Sequence, residues 1–493
     1  MTTATAPEYD VAVIGAGVCG ASVARVLSAY QLRTILLEKE TDVGFGVSKA
    51  NSGIIHGGFH HPVTSLKAKL ELQGNLMYER LHYELGFPFK RVGILVVAFS
   101  DEEMKNVTHL FSQGEANGVA DLQLCGAQRI RELEPGINSD ATGGLYAPGG
   151  GIIEPYRFVF ALVESAVNNG CTLCTDFEMT KARWNDGFYR IESKTGTAVT
   201  ARYAVNAAGL YSDAVSTAFS AEAFTIIPRK GEEYLLDRGA TAFPNHVLFP
   251  VPAKNSKGIL VIPTVEGTTM VGPTAVEVDS KEDVSTSSEN LETVFTRAKH
   301  MMPSVSRRDI ITSFAGMRPA LAKGDFYIAV SEKAPQLIQV AGIQSPGLTA
   351  APAIGEYVKD LLKSCGCQFV EKQHFEPSLP KVVTMRDRSP ASMDELISSN
   401  PAYGEIVCRC ETVSEAQIIE AIRKGHTTLD GIKFYTRSGM GRCQGGFCTG
   451  KILKILSRET GRAVSEFTKR GGGSYLVNGP LSPESFKQDA DEK

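Results

Sequence analysis

The stretch that decides the fold is YDVAVIGAGVCGASVARVLSAYQLRTILLEKE, Tyr9 to Glu40. Val11–Ile14 is a short apolar run and reads as a buried strand. Gly15, Gly17 and Gly20 follow as G-x-G-x-x-G. Ala21–Ala29 places small and apolar residues at helical spacing, and Thr34–Leu37 is a second apolar strand ending at Glu38. The order is strand, glycine turn, helix, strand, acid. Gly15 permits the tight turn, Gly17 lets the backbone approach a pyrophosphate, and Gly20 lets the helix pack close to the strand. The helix N-terminus favours an anion, and Glu38 would accept hydrogen bonds from ribose hydroxyls. This predicts a dinucleotide site on an α/β fold. The alternative is a glycine-rich turn in an ordinary βαβ unit.

Further along lies ANSGIIHGG, Ala50 to Gly58, a small-residue loop with a histidine, no other charge and no regular period. Residues 86–140 mix a strand (Ile94–Phe99) with a charged helical stretch, and Pro155 starts a helix that stops at Gly170. YAVNAAGLYSD, Tyr203 to Asp213, is a strand ending in small residues. Ile226 to Thr274 is β-rich, with turn residues between runs. From Pro335 a strand, a glycine turn and a helix come again. Nucleotide-type segments thus recur, with β-rich material between them.

The chain has 493 residues, enough for two or three domains. A net charge of −4 provides no basic field for nucleic acid or an anionic membrane. The first ten residues have neither a basic segment nor an apolar core, so no signal peptide is expected. No apolar run approaches the roughly 18–20 residues of a spanning helix, and the expected location is the cytoplasm. Of ten cysteines, Cys408, Cys410, Cys443 and Cys448 fall in one C-terminal segment. In a cytosolic chain such clustering points to metal or redox chemistry rather than disulfides.

The chain resembles the FAD-dependent oxidoreductases of the D-amino-acid-oxidase type, and within them the glycerol-3-phosphate oxidases and dehydrogenases. The residues that carry this are ANSGIIHGG, LGFPFKRVGILVVAFS (Leu85–Ser100), SKGILVIPTVEGTTMVGPTAV (Ser256–Val276), HMMPSVSRRDIITSFAGMRPA (His300–Ala320) and GIQSPGLTAAPAIGEYV (Gly342–Val358). The N-S-G-x-I-H loop is shared with L-2-hydroxyglutarate oxidases. The resemblance implies an α/β FAD-binding Rossmann-like domain with an inserted β-rich substrate domain, plus a small C-terminal iron–sulfur domain. Residues 1–365 would form the oxidoreductase, with FAD-binding segments 9–85, 141–215 and 311–365 and substrate segments 86–140 and 216–310. Residues 366–402 read as a polar linker, 403–458 as the cysteine unit and 459–493 as a tail. Similarity places Gly15, Gly17, Gly20, Glu38, Asn51, Ser52, Gly53, Ala208, Gly209, Gly342 and Leu348 near FAD, with His56 over the isoalloxazine. The FAD is expected to be held non-covalently.

Oxidising a secondary alcohol needs a base for the hydroxyl proton, and a histidine is mostly free base near pH 7. His56 is the candidate base. A phosphomonoester carries about −1.5 to −2 charges and requires fixed cationic donors when buried. Arg318 is the leading anion clamp, with Lys257 and Lys230 next. Ser345 resembles the family's serine near flavin and substrate; a turn residue before Pro346 is the alternative. His60 and His61 read as packing or surface residues, and the Cys171–Cys174 and Cys365–Cys367 pairs as incidental.

The cysteine spacing is C-x-C, then 32 residues, then C-x₄-C, which departs from the common zinc pattern. IVCRCETVSEAQIIEAIRKG and GMGRCQGGFCTG resemble the [2Fe–2S] module of bacterioferritin-associated ferredoxin. Structural zinc or a degenerate site are the alternatives. KILKILSRET, Lys451 to Thr460, reads as the module's own helix. The function expected is oxidation of sn-glycerol 3-phosphate to dihydroxyacetone phosphate, with electrons passing through the cluster to an electron-acceptor subunit of a larger complex. A dehydrogenase of a 2-hydroxy acid such as L-2-hydroxyglutarate, and a non-catalytic electron-transfer subunit, are the other readings. Convergence of Lys257, Lys230 and Arg318 on one pocket would favour phosphate.

Overall fold

The computed structural model describes residues 7–252 and 258–479. The chain forms two compact units that divide between Val382 and Val383. At the centre of the first unit lies Tyr9–Ile14, paired in parallel with Thr34–Leu37 on one side and Ala198–Asn206 on the other. Val11, Ala12 and Val13 are fully buried, as expected of a strand covered on both faces. Thr172–Cys174 and Leu337–Ala341 extend the parallel sheet at either side, and hairpin strands complete its eight members. The helices Val18–Leu27 and Gly347–Ser364 pack together, as do Gly347–Ser364 and Leu66–Leu85.

The second sheet has nine strands, running from Val276–Glu277 to Gln123–Gly126, with Ile310–Ala320 paired along Ile227–Leu236. Alternation explains its two cores. Leu95, Val97, Leu248 and Val261 face the helix Ser288–Met301, whereas Ile94, Val96, Phe249 and Ile262 face Phe59. This sheet reaches beyond the expected segments 86–140 and 216–310, because Gly143–Ala147 pairs with Ile94–Ala98 and Ile310–Ala320 belongs to it throughout. A small third sheet of Ile54–Ile55, Gly151–Ile153 and Phe89–Lys90 anchors the histidine loop.

The stretch read as a linker is differently built. Gln31 N donates to Val370 O at 2.8 Å, Lys372 N to Ala29 O at 2.9 Å and Leu379 N to Glu84 O at 2.8 Å. These three bonds lay the stretch along the first unit, to which residues up to 382 belong. Pro390–Ser399 is a helix capped by Ser389. Polarity and proline content marked a surface path, not a detached one.

In the second unit a hairpin, Ile406–Cys408 with Val413–Ser414, leads into helix Glu415–Arg423 through a Ser414/Gln417 capping box. Leu429–Thr436 and Thr449–Thr460 complete the unit, burying Ile418, Ile432, Ile452 and Leu456. The tail begins by packing here: Phe467 is 1% exposed, and Lys469 Nζ meets Asp430 at 3.0 Å. No helix among the described residues is long and apolar enough to cross a membrane.

Leu66–Leu85 touches Gly347–Ser364 at Gly74, where a Cβ would lie 2.1 Å from Thr349 O, and Tyr78 Oη donates to Leu348 O at 2.5 Å. Gly74→Ala forces this crossing apart. The expected cost is about 1–3 kcal/mol, seen in calorimetry as a lower Tm for the first unit, with the second unit's transition unmoved.

Candidate active site

The turn after Tyr9–Ile14 is built by close approach. Gly15 has φ +101°, and a Cβ on Gly20 would sit 1.8 Å from Gly15 O. Gly17 caps helix Val18–Leu27, and Val18 N donates to Ser48 Oγ at 2.9 Å. Glu38 is buried, and its Oε2 and Oε1 accept from Ala16 N at 2.7 Å and Glu40 N at 3.0 Å. Burial raises this carboxyl above the usual range, against the pull of those two donors. A carboxylate has about four acceptor sites, so two remain for ribose hydroxyls. Ala208 and Gly209 follow the neighbouring parallel strand Ala198–Asn206, and Gly342 follows Leu337–Ala341. Asn51 binds back on its own loop, its Nδ2 to Ser48 O at 2.8 Å and its Oδ1 from Gly53 N at 2.9 Å. Small residues and strand-end turns on adjacent parallel strands fit an extended dinucleotide.

His56 follows the short strand Ile54–Ile55 and is 7% exposed. Its backbone N donates to Thr349 Oγ1 at 2.9 Å, and its carbonyl accepts from Asn75 Nδ2 at 2.6 Å. Its Nε2 lies 3.1 Å from Ser345 Oγ. The ring stands edge-on to His60, and tilted to Phe249, both at 5.9 Å. The structure thus brings His56 and Ser345 together, and His60 packs on Phe59 at 4.2 Å. Leu348 lies on the same turn. Sequence reading missed Asn75, which also holds Gly149 O at 2.9 Å and receives Arg91 Nη1 at 3.0 Å. A polar residue on the buried face of a helix was the available signal.

Arg318 stands opposite Arg229 in the paired strands, and its guanidinium lies over Gly231, 2.7 Å from where a Cβ would be. Its Nη1 donates to Thr274 O at 3.1 Å. On the same face, Glu233 accepts from Ser52 Oγ at 3.2 Å. Burial pushes the Glu233 carboxyl up to about 7, while Arg318 and Ser52 draw it down. Lys230 does not join this group. It pairs with Met317, one register step from Arg318, so it points to the other face, where its Nζ meets Asp283 at 2.9 Å and Ser285 Oγ at 3.4 Å. Lys230, a candidate for the anion clamp, is thus turned away from Arg318 by strand alternation, and Arg229 takes the place beside Arg318, bound to Glu277 at 2.7 Å. Lys257 lies outside the described residues. Glu233 was also missed, although two successive acids in a covered strand imply that one of them faces inward.

In the second unit, Cys408 and Cys448 are buried, Cys443 is half-buried and Cys410 is exposed. Cys410 and Cys443 Sγ are 3.7 Å apart. That is near the edge of a tetrahedron with metal–sulfur bonds of about 2.3 Å. Cys448 donates its thiol to Cys408 and, with backbone N–H groups of Gly439 and Glu411, lowers Cys408 to about 6. Cys443 accepts from the N–H groups of Phe447 and Gly445, which lowers its pKa. A Cβ on Gly441 would lie 2.3 Å from Cys410 Cβ, so only glycine fits beside the C-x-C loop. Glu411, just after Cys410, is buried between Arg386 and Arg437. The thiols stand as two pairs, Cys410 with Cys443 and Cys408 with Cys448, and thiol pairs with backbone donors at their sulfurs are the donor chemistry an iron–sulfur cluster takes. The other cysteines are free thiols, and Cys171 is pushed up to about 12 by burial.

Comparison with known proteins places both units. Residues 10–361 match the FAD dependent oxidoreductase (DAO) family, and residues 406–458 match the BFD-like [2Fe-2S] binding domain. The chain belongs to the FAD dependent oxidoreductase family; it is an FAD flavoprotein with a [2Fe–2S] module. It is 42% identical to the glycerol 3-phosphate dehydrogenase of Caloramator mitchellensis, over 97% of this chain and 99% of that one. The FAD-bound, dithionite-reduced L-alpha-glycerophosphate oxidase of Mycoplasma pneumoniae superposes with a TM-score of 0.72 at 31% identity, over 76% of this chain and 99% of the oxidase. The mitochondrial L-2-hydroxyglutarate dehydrogenase of Nematostella vectensis is 26% identical over 73% of this chain and 91% of its own. The α/β fold and both cofactors expected from the sequence are thereby borne out.

Replacing one thiolate by the harder serine oxygen weakens a soft-ligand site. Cys443→Ser is expected to lose most iron and acid-labile sulfide while keeping a full complement of FAD. Iron, sulfide and flavin analysis of the same preparation checks this.

Proposed function

We propose that this chain is a cytoplasmic dehydrogenase that oxidises sn-glycerol 3-phosphate to dihydroxyacetone phosphate and passes the electrons through its [2Fe–2S] cluster to a partner subunit. One observation carries this reading: a single loop, Ala50–His56, touches both halves of the chemistry. Its Ser52 bonds Glu233 beside Arg318, and its His56 bonds Ser345. FAD, when bound, supplies the hydride acceptor. His56 Nε2 takes the hydroxyl proton, held in place by Ser345 at its ring and by Thr349 and Asn75 at its backbone. Arg318 receives the phosphate, and its fork suits such an oxyanion. Gly15, Gly17, Gly20, Glu38, Asn51, Ser52, Gly53, Ala208, Gly209, Gly342 and Leu348 hold the dinucleotide; Cys408, Cys410, Cys443 and Cys448 hold the cluster. The dehydrogenase relative is matched over nearly the whole chain, cysteine unit included, whereas the oxidase is used up on 76% of it. That contrast supports delivery to a partner over delivery to oxygen.

A 2-hydroxy acid as substrate is the second reading, favoured by the hydroxyglutarate relative and by Lys230 turning away from Arg318. Anaerobic mixing of the holoenzyme with glycerol 3-phosphate, L-2-hydroxyglutarate and glycerol separates the two. Glycerol 3-phosphate is expected to bleach the flavin fastest. Bleaching by none of them would support a subunit that only relays electrons.

His56→Ala is expected to slow flavin reduction about 10²-fold or more with FAD retained, the range of a positioned general base. A change under about threefold in stopped flow would remove His56 from that role. Arg318→Ala leaves the anion without a charged partner worth about 1.5–3 kcal/mol, so KM is expected to rise roughly 10- to 150-fold. Glycerol oxidised as well as its phosphate would argue against a phosphate clamp.

A further inference from the structure

Ile227–Leu236 carries two acids in succession with opposite fates. Glu232 is fully satisfied on one face: its Oε2 accepts from Ser287 N and its Oε1 from Asn290 Nδ2, both at 2.7 Å. Glu233, on the other face, is 3% exposed; Ser52 Oγ reaches its Oε1, and its Oε2 has no hydrogen-bond partner among the described residues. Arg318 is the charge that acts on it, across Gly231. Arg229 stands next to Arg318 on the paired strands, the Ala50–Gly53 loop contributes uncharged Ser52, and Gly272 against the Glu233 side chain is uncharged too. His56, four residues beyond Ser52, is the ionisable side chain of that loop. A carboxylate buried with an unsatisfied oxygen is costly as an anion and cheap to protonate.

We infer that Glu233 is the exchangeable counter-charge of Arg318: it faces the guanidinium as an anion in the free enzyme and takes up one proton from solvent when a doubly charged oxyanion docks there. The inference rests on Arg318 being the anion clamp. Arg318 cannot give up its own proton, so with a ligand that stays a dianion the charge is relieved on the protein side, at Glu233. The site gains one proton and one dianion together, and product departure returns the proton. The sign follows from a carboxyl raised by burial to about 7. Below that pH it is already neutral and the dianion binds at full strength. Above it, each bound dianion must bring a proton, and affinity falls by about tenfold per pH unit.

Sulfate stays doubly charged across this range and serves as the probe, titrated into oxidised holoenzyme. Binding is read by perturbation of the flavin spectrum, and proton uptake by an indicator dye in weak buffer. The wild type is expected to show a Kd about tenfold higher at about pH 8.5 than at 7.5, with close to one proton taken up per sulfate. Glu233→Gln is expected to give a flat Kd and no uptake with FAD still bound. His56→Asn is expected to keep the wild-type slope; loss of the slope there instead of in Glu233→Gln overturns the proposal. If Glu233→Gln loses FAD, the comparison of wild type with His56→Asn still decides, since absence of uptake in both overturns it. Arg318→Ala separates the two layers. Sulfate binding unchanged in Arg318→Ala removes the clamp itself. Binding abolished there, with no proton uptake in the wild type, removes only the role of Glu233.

Discussion

The constraint on which the first unit depends is the contact of Gly20 with the carbonyl oxygen of Gly15. It lets helix Val18–Leu27 start directly beneath the end of the central strand, so that the helix N-terminus and its unsatisfied N–H groups point at the strand-end turn. Glu38 then closes the other side, because the parallel register Ile14↔Leu37 brings it to the same level. Ser48, bonded to Val18 N, ties the following loop to this helix start. From there the chain runs to Ala50, whose carbonyl packs on Gly316 of the second sheet. One turn thereby sets the glycine-rich strand end, the histidine loop and the approach of the sheet that carries Arg318.

The parts legible in the sequence are those where local pattern and tertiary role coincide. Thr34–Leu37 was read to the residue, since a fully buried parallel strand is simply an apolar run. His56 and Ser345 were chosen from the loops that carry the resemblance, and the structure sets them 3.1 Å apart. Lys230 shows where such reading fails. Its neighbours in sequence are right, but its face depends on register with a strand some ninety residues on, and one step of register inverts it. The polar segment after Cys365 failed for another reason. Composition reports that a segment meets water, and not whether its backbone is pinned to a neighbouring strand or helix end.

The electrostatics around Arg318 follow from setting a half-buried guanidinium beside few partners. Arg318 loses hydration, and Glu233 compensates only in part, since burial works against that carboxyl as well. A satisfied, paired ion bridge at this place would leave the guanidinium nothing to offer a ligand. The adjacent Glu232, with both oxygens engaged by the start of helix Ser288–Met301, is the structural counterpart on the opposite face. The same strand thus carries one acid with both oxygens bonded and one with an oxygen left unbonded among the described residues.

The second unit divides its four thiols in a comparable way. Cys408 and Cys448 are buried free thiols hydrogen-bonded to each other, so they belong to the packed interior. Cys410 and Cys443 lie toward solvent, on loops fixed from behind by Glu411 between two arginines. Backbone N–H groups aimed at the sulfurs stabilise negative charge there, and they do so without a mobile side chain. Anchorage on one side and exposure on the other is what a centre that hands on electrons requires. On the proposed function, this asymmetry of the four thiols suits a centre that passes electrons outward.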